Sequence, residues 1–95
     1  MVTKIIKVFP MTSRQYTDRQ GNSATFKTKG FILHNGSGTI YAEAVQENAE
    51  NLDTLDIHEN DCAFVQLASV ARTYKDSKGN ERYSNEFTIT QMVMI

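Results

Sequence analysis

The sequence predicts an all-β domain, a five-stranded Greek-key barrel with one short helix between the third and fourth strands. Three observations carry this. β-Branched and aromatic residues gather in five runs separated by turn formers. The apolar period changes from two to near 3.6 only once, across residues 45–57. And Val70–Gln91 reads as one long hairpin around the polar tip Asp76-Ser77-Lys78-Gly79-Asn80.

Taken in order, Val2–Phe9 (VTKIIKVF) has strand composition and stops at Pro10. Thr12–Ser23 is polar and reads as a connecting segment containing Tyr16-Thr17-Asp18-Arg19-Gln20-Gly21-Asn22. Thr25–Leu33 is the second strand, with Gly30 expected at a bulge or bend. His34–Gly38 is a tight turn, and Thr39–Val45 is the third strand. Val45, Ala49, Leu52 and Leu55 then fall near helical spacing, which predicts a helix over Glu47–Leu55 with acids at its start, where the helix dipole favours them. After the turn His58–Asp61 come Cys62–Thr73 and Tyr83–Val93, the fourth and fifth strands. Three strands, a helix and two strands is the plan of the oligonucleotide-binding (OB) barrel, in which the helix plugs one end. An SH3-like barrel or a small sandwich also uses five strands, but neither calls for a helix at that point.

Composition narrows the function. A chain of 95 residues suits a single domain, 1–95, burying roughly 60–70 % of its unfolded surface. The longest purely apolar runs, Cys62–Val65 and Met92–Ile95, are far too short to span a bilayer, and the Lys4/Lys7 alternation is unlike a secretory signal. Cys62 is the only cysteine, so no internal disulfide forms and a reducing cytoplasm is the expected compartment. His34, His58 and Cys62 lack metal-ligand spacing, and no nucleophile–base pattern or phosphate loop is present; neither metal, cofactor nor catalysis is expected.

The net charge of −1 conceals a segregated distribution. Residues 1–42 hold six basic residues and one acid, 43–61 hold seven acids without Lys or Arg, and 62–95 hold four basic residues and three acids. Fields between exposed charges fade beyond about 8–10 Å, so local patches matter more than the total. The acidic block fits a solvated helix face, and it fits equally the recognition surface of a protein-interaction module without nucleic-acid affinity.

Two loops echo one another. Tyr16–Asn22 and Tyr74–Asn80 share the pattern Tyr-x-Asp-x-x-Gly-Asn. Hairpin tips favour Asp and Gly in any case. What the turn chemistry leaves over is a tyrosine before each tip and cations within it, on the two loops that flank the ligand groove of an OB barrel. Cations beside aromatic rings suit a single-stranded nucleic acid, whose phosphates need charge and whose bases stack.

The segment Arg72–Glu86 (RTYKDSKGNERYSNE) resembles the last hairpin of bacterial-type single-stranded DNA-binding proteins: Arg-x-aromatic, a polar Gly-containing tip, then Arg-Tyr-x-x-Glu. The likeness is weaker at Glu59-Asn60-Asp61 and Tyr16–Gly21, and about a third of the chain carries it. It implies an OB fold, single-stranded DNA as partner and a role in replication, recombination or repair. A homo-oligomer, dimer or tetramer, is expected separately, because so small a domain gains core by pairing strand edges, with Ile5, Ile6 and Val8 or Met92–Ile95 as the seam. RNA is not separable from DNA on these residues. The chain departs from the family in having no Trp and no acidic-tipped tail, which is more like a phage, mobile-element or primosomal variant. By position the resemblance makes Tyr41, Tyr74 and Phe26 the stacking residues, although Phe26 fits a core position equally well. Tyr16 and Tyr83 fit either a binding or an anchoring role, the latter favoured for Tyr83 because Phe87 and Ile89 share its strand face. Phe9, Phe31 and Phe64 are expected in the core. Arg72, Lys75, Lys78, Arg82, Arg14 and Arg19 are the candidate phosphate contacts, and Lys27 and Lys29 are also counted as nucleic-acid-binding candidates, although they point away from whichever face Phe26 takes.

Overall fold

The computed structural model describes residues 1–95, with strands β1 (Val2–Val8), β2 (Thr12–Thr17), β3 (Ser23–His34), β4 (Thr39–Val45), β5 (Cys62–Lys75) and β6 (Glu81–Met94), and helix α1 (Gln46–Asp53) between β4 and β5. Hydrogen-bonded neighbours follow the order β1-β5-β6-β4-β3-β2, and an added β1–β3 pairing closes the sheet into a ring. This is OB topology. β1 and β2 act as one long strand interrupted at Pro10: β1 pairs with the second half of β3 (Lys4 opposite His34, Val8 opposite Phe31) and β2 with its first half (Thr12 opposite Thr28, Thr17 opposite Ser23). Between β4 and β6 the seam is a single parallel pairing, Glu43 with Thr88.

The strand at Thr12–Thr17 corrects the expectation of a connecting segment. Every residue of β2 is exposed, so it carries no apolar alternation to read. It forms because β3 runs well past the core and offers a free backbone edge. No bulge falls at Gly30, since β3 passes through it in register with Glu43. The irregularities lie elsewhere, between Ile5 and Lys7 in β1 and between Gln66 and Leu67 in β5.

The interior is small. Ile5, Phe31, Leu33, Val65 and Ile89 fill the ring, while Ala42, Ala44 and Ala63 keep the walls thin. Ala49 and Leu52 of α1 close one end, and Leu55, expected on the same face, lies past the helix and is exposed. Burying one Leu side chain stabilises by about 1.5–3 kcal/mol, so the helix cap is a substantial part of a core this size. Two lysines of β3 fasten α1 from the inside of the sheet: Lys27 pairs with Glu50, and Lys29 bonds Asp53 at 3.1 Å and the Phe9 carbonyl at 3.0 Å. The Lys27 amide also donates to the Gln46 side chain at the helix start. Of the three phenylalanines expected in the core, Phe31 is fully buried and Phe9 half-buried, but Phe64 is exposed. Alternation explains this, because Ala63 and Val65 take the inward side of β5. Phe64 stands across from Val2 and Val93 on the outer surface.

Candidate functional site

The repeated loop pattern folds twice into one geometry. In each tip the aspartate (Asp18 or Asp76) accepts from two backbone N–H groups, two and four residues on, at 2.9–3.0 Å. Its own N–H and C=O close the turn on Asn22 and Gly21, or on Asn80 and Gly79. Both glycines have φ near +80°, the left-handed conformation that a side chain disfavours. The two tips are thus built as rigid Asx turns capping the β2–β3 and β5–β6 arms. At the second tip Arg82 adds a bond to Asp76 at 3.0 Å, and this guanidinium with the two N–H donors holds the Asp76 carboxyl below the usual carboxylate range.

Between the arms lies an open groove of about 810 Å³. Arg14 of β2, Phe26 of β3, Tyr41, Glu43 and Val45 of β4, Arg72 of β5, and Glu86 of β6 line it. Strand register explains why these side chains meet. Arg14 is the cross-strand partner of Phe26, with its guanidinium 5.7 Å from the ring centroid. Tyr41 is 49 % exposed while its neighbour Ala42 is buried, so the odd-numbered side of β4 is the groove side. Diagonally across on β3, a Cβ at Gly30 would stand 2.8 Å from ring carbons of Tyr41, so only glycine lets that ring lie over β3. Phe9 braces it edge-on at 5.7 Å between centroids. Partial burial, then Glu43 beside it, raise the pKa of the Tyr41 hydroxyl.

Each of the remaining expected residues has a definite place. Tyr16 and Tyr74 lie two residues outward from Arg14 and Arg72 on the same strand faces, and both are exposed. Together with Phe26 and Tyr41 they extend the groove along both arms. Tyr83 does not join them. It pairs with Thr73 whereas Tyr74 pairs with Arg82, so the two tyrosines sit on opposite faces of the arm. Tyr83 is 71 % exposed and bonds Glu81. The face it shares with Phe87 and Ile89 leaves the core once β6 runs past the ring.

Among the cations, Arg14, Arg19, Lys75 and Lys78 have no carboxylate partner, whereas Arg72 bonds Glu86 at 3.0 Å within the groove and Arg82 is held by Asp76. Lys27 and Lys29 are not in the groove. They project from the other side of β3, where Lys29 is buried and both are taken up by α1. Their parity with Phe31, which is inside, was the available signal. Sequence reasoning also missed the carboxylates Glu43 and Glu86 as groove residues. Glu43 was counted with the acidic helix, although its alternation with Ala42 and Ala44 could have placed it beside Tyr41.

The ring topology and the flanked groove define the chain as an OB-fold domain. No protein-family model matches the chain, and no curated protein matches it. Among solved structures it is similar to the second OB-fold domain of replication protein A from Methanococcus maripaludis, with a TM-score of 0.61 and 15 % identity over 99 % of this chain and 79 % of that one. It is similar as well to the mitochondrial single-stranded DNA-binding protein of S. cerevisiae, with a TM-score of 0.61 and 9 % identity over 100 % of this chain and 90 % of that one. At these identities the likeness is one of fold.

Proposed function

We propose that this chain is a non-catalytic binder of single-stranded DNA, largely indifferent to sequence, serving replication, recombination or repair. The observation that carries the reading is the groove itself: half-exposed rings from β3 and β4, extended by tyrosines on both arms, with free cations alongside. Unpaired bases stack on Phe26, Tyr41, Tyr16 and Tyr74, while Arg14, Arg19, Lys75 and Lys78 meet phosphates. Two solved structures of similar fold are, by name, a domain of replication protein A and a single-stranded DNA-binding protein, which supports the same ligand class. The acidic surface is a weaker candidate for the main role, because Glu50 and Asp53 are already engaged by Lys27 and Lys29. Self-association is part of the proposal. The stripe Val2–Phe64–Val93 crosses three strands in register, fully on the outside, and Ile95 lies beyond it.

The test is an anisotropy titration of a labelled mixed-sequence oligonucleotide, single-stranded and as duplex, across a salt series. Four free cations predict that log K falls with log salt at a slope of about −3, from roughly −0.7 per phosphate. Micromolar or tighter binding confined to the single strand is the expected result. Equal binding of duplex, or affinity independent of salt, contradicts it.

A further inference from the structure

The centre of the groove holds a negative charge that phosphate binding leaves unexplained. Glu43 lines the main groove and also the smaller recess made by Thr12, Arg14, Phe26 and Thr28. Its backbone is fixed from both sides, paired with Gly30 of β3 and with Thr88 of β6. Half-buried as it is, Glu43 enters none of the ion pairs of the molecule, and its polar neighbour is the Tyr41 hydroxyl, whose single proton leaves most of the carboxylate's acceptor capacity free. Glu86, the other groove carboxylate, is already neutralised by Arg72. A carboxylate left without a cation here repels the backbone of any polyanion, so whatever it contacts favourably must be a hydrogen-bond donor. Single-stranded DNA carries its donors on the base edges alone.

The platform beside Glu43 limits which edges can reach it. Tyr41 is braced by Phe9 and seated over Gly30, so a base stacked on its free face lies alongside β4 with an edge toward the next outward residue, Glu43. An ionised carboxylate only accepts hydrogen bonds. Cytosine offers it the projecting N4 amine, whereas thymine there presents the O4 carbonyl, an acceptor, and its one donor, N3–H, is flanked by O2 and O4, which repel a carboxylate. We infer that Glu43 is a base-reading residue, which makes the groove favour cytosine over thymine on the Tyr41 platform. This rests on the single-strand reading above and adds a bias to it. The phosphates and the other three rings remain blind to sequence.

Cytosine and thymine give the cleanest test, since both are small pyrimidines with weak self-stacking and differ at the edge in question. Fifteen-nucleotide homopolymers of dC and dT are compared by competition anisotropy against the wild type, Glu43→Gln, and Glu47→Gln as a control for loss of one charge on the exposed helix. The wild type is expected to bind oligo-dC about tenfold tighter than oligo-dT, the scale of one base-edge contact. Glu43→Gln, whose amide both donates and accepts, brings the ratio close to one, mainly by strengthening dT. Glu47→Gln leaves the ratio as it was. Equal binding of the two strands by the wild type, or a ratio that Glu43→Gln does not move, overturns the assignment while leaving the groove as the binding site. Binding of neither strand removes the single-strand reading itself, and this assignment with it.

Discussion

Tyr41 and Tyr83 show how little separates a binding residue from a bystander. Both are strand tyrosines with more than a third of their surface exposed. Tyr41 is held by Gly30 beneath and Phe9 at its edge, so it loses little rotamer freedom when a base lands on it; Tyr83 has only a hydroxyl contact to Glu81 and lies on the face of the arm opposite to Tyr74. Replacing Tyr41 by Ala is expected to weaken single-strand binding by about 1–3 kcal/mol. Tyr83→Ala should leave it unchanged, and titrations of the two variants in parallel check both statements. At Arg72 the expected effect has the opposite sign. Its ion pair with Glu86 is exposed and worth no more than about 1 kcal/mol, but it occupies a guanidinium that a phosphate would otherwise take. Glu86→Gln should therefore raise affinity about two- to fivefold at low salt, and a loss of affinity would show that Glu86 positions Arg72 rather than competing for it. Residue-level reading of the sequence did well where alternation was clean, as at Tyr41 between Ile40 and Ala42. It did less well at Lys27 and Lys29: parity with Phe31 marked their face as inward, but nothing local told that the helix would cross that face of β3 and supply Glu50 and Asp53.

Among the elements, the β5–β6 arm is the one whose stability stands apart. From Ala68 to Lys75 and from Glu81 to Glu86 it has no buried residue, so only ladder bonds, side-chain pairs and the tip hold it together. A two-stranded ribbon of this kind is marginal by itself. The tip depends on the ionised form of Asp76, whose pKa in the folded arm lies below the ordinary value because of Arg82 and two backbone N–H groups. That stabilisation is fully present above about pH 4, the pKa of an unfolded aspartate, and is lost as pH falls through the lower folded value. Corrected for intrinsic rates, amide exchange at Lys78–Asn80 is expected to stay level from neutral pH to about pH 4 and to quicken below it. Asp76→Asn should abolish that acid transition; a transition that survives the substitution would place its origin elsewhere. The β5–β6 arm was legible in the sequence as a hairpin; of the β2–β3 arm only the tip was, since Asp and Gly specify it. The β2 strand was not, because an exposed strand has no apolar period and is specified by its partner's free edge. The helix was legible from its period to within two residues at its end.

The whole molecule is a thin ring with two long projections, measuring 40 × 36 × 18 Å. Its core can be small because alanines on β4 and β5 let α1 and the opposing strands approach closely, and that economy leaves β3, β5 and β6 free to run beyond the ring as arms. Function and fold meet there: the portions of strand that contribute nothing to the core are the portions that border the groove. A closed barrel could be anticipated from element order alone. The pairings that close it could not, as the β4–β6 pairing and the β1–β3 contact leave no local mark. The most direct measurement of where a single strand lies is an amide and side-chain chemical-shift map of the protein titrated with a short oligonucleotide. Shifts should concentrate at Arg14, Phe26, Tyr41, Glu43 and Arg72 and run outward to Tyr16 and Tyr74, leaving α1 and Tyr83 quiet. Shifts centred on the helix acids, or on the Val2–Phe64–Val93 stripe with the groove silent, would contradict the account.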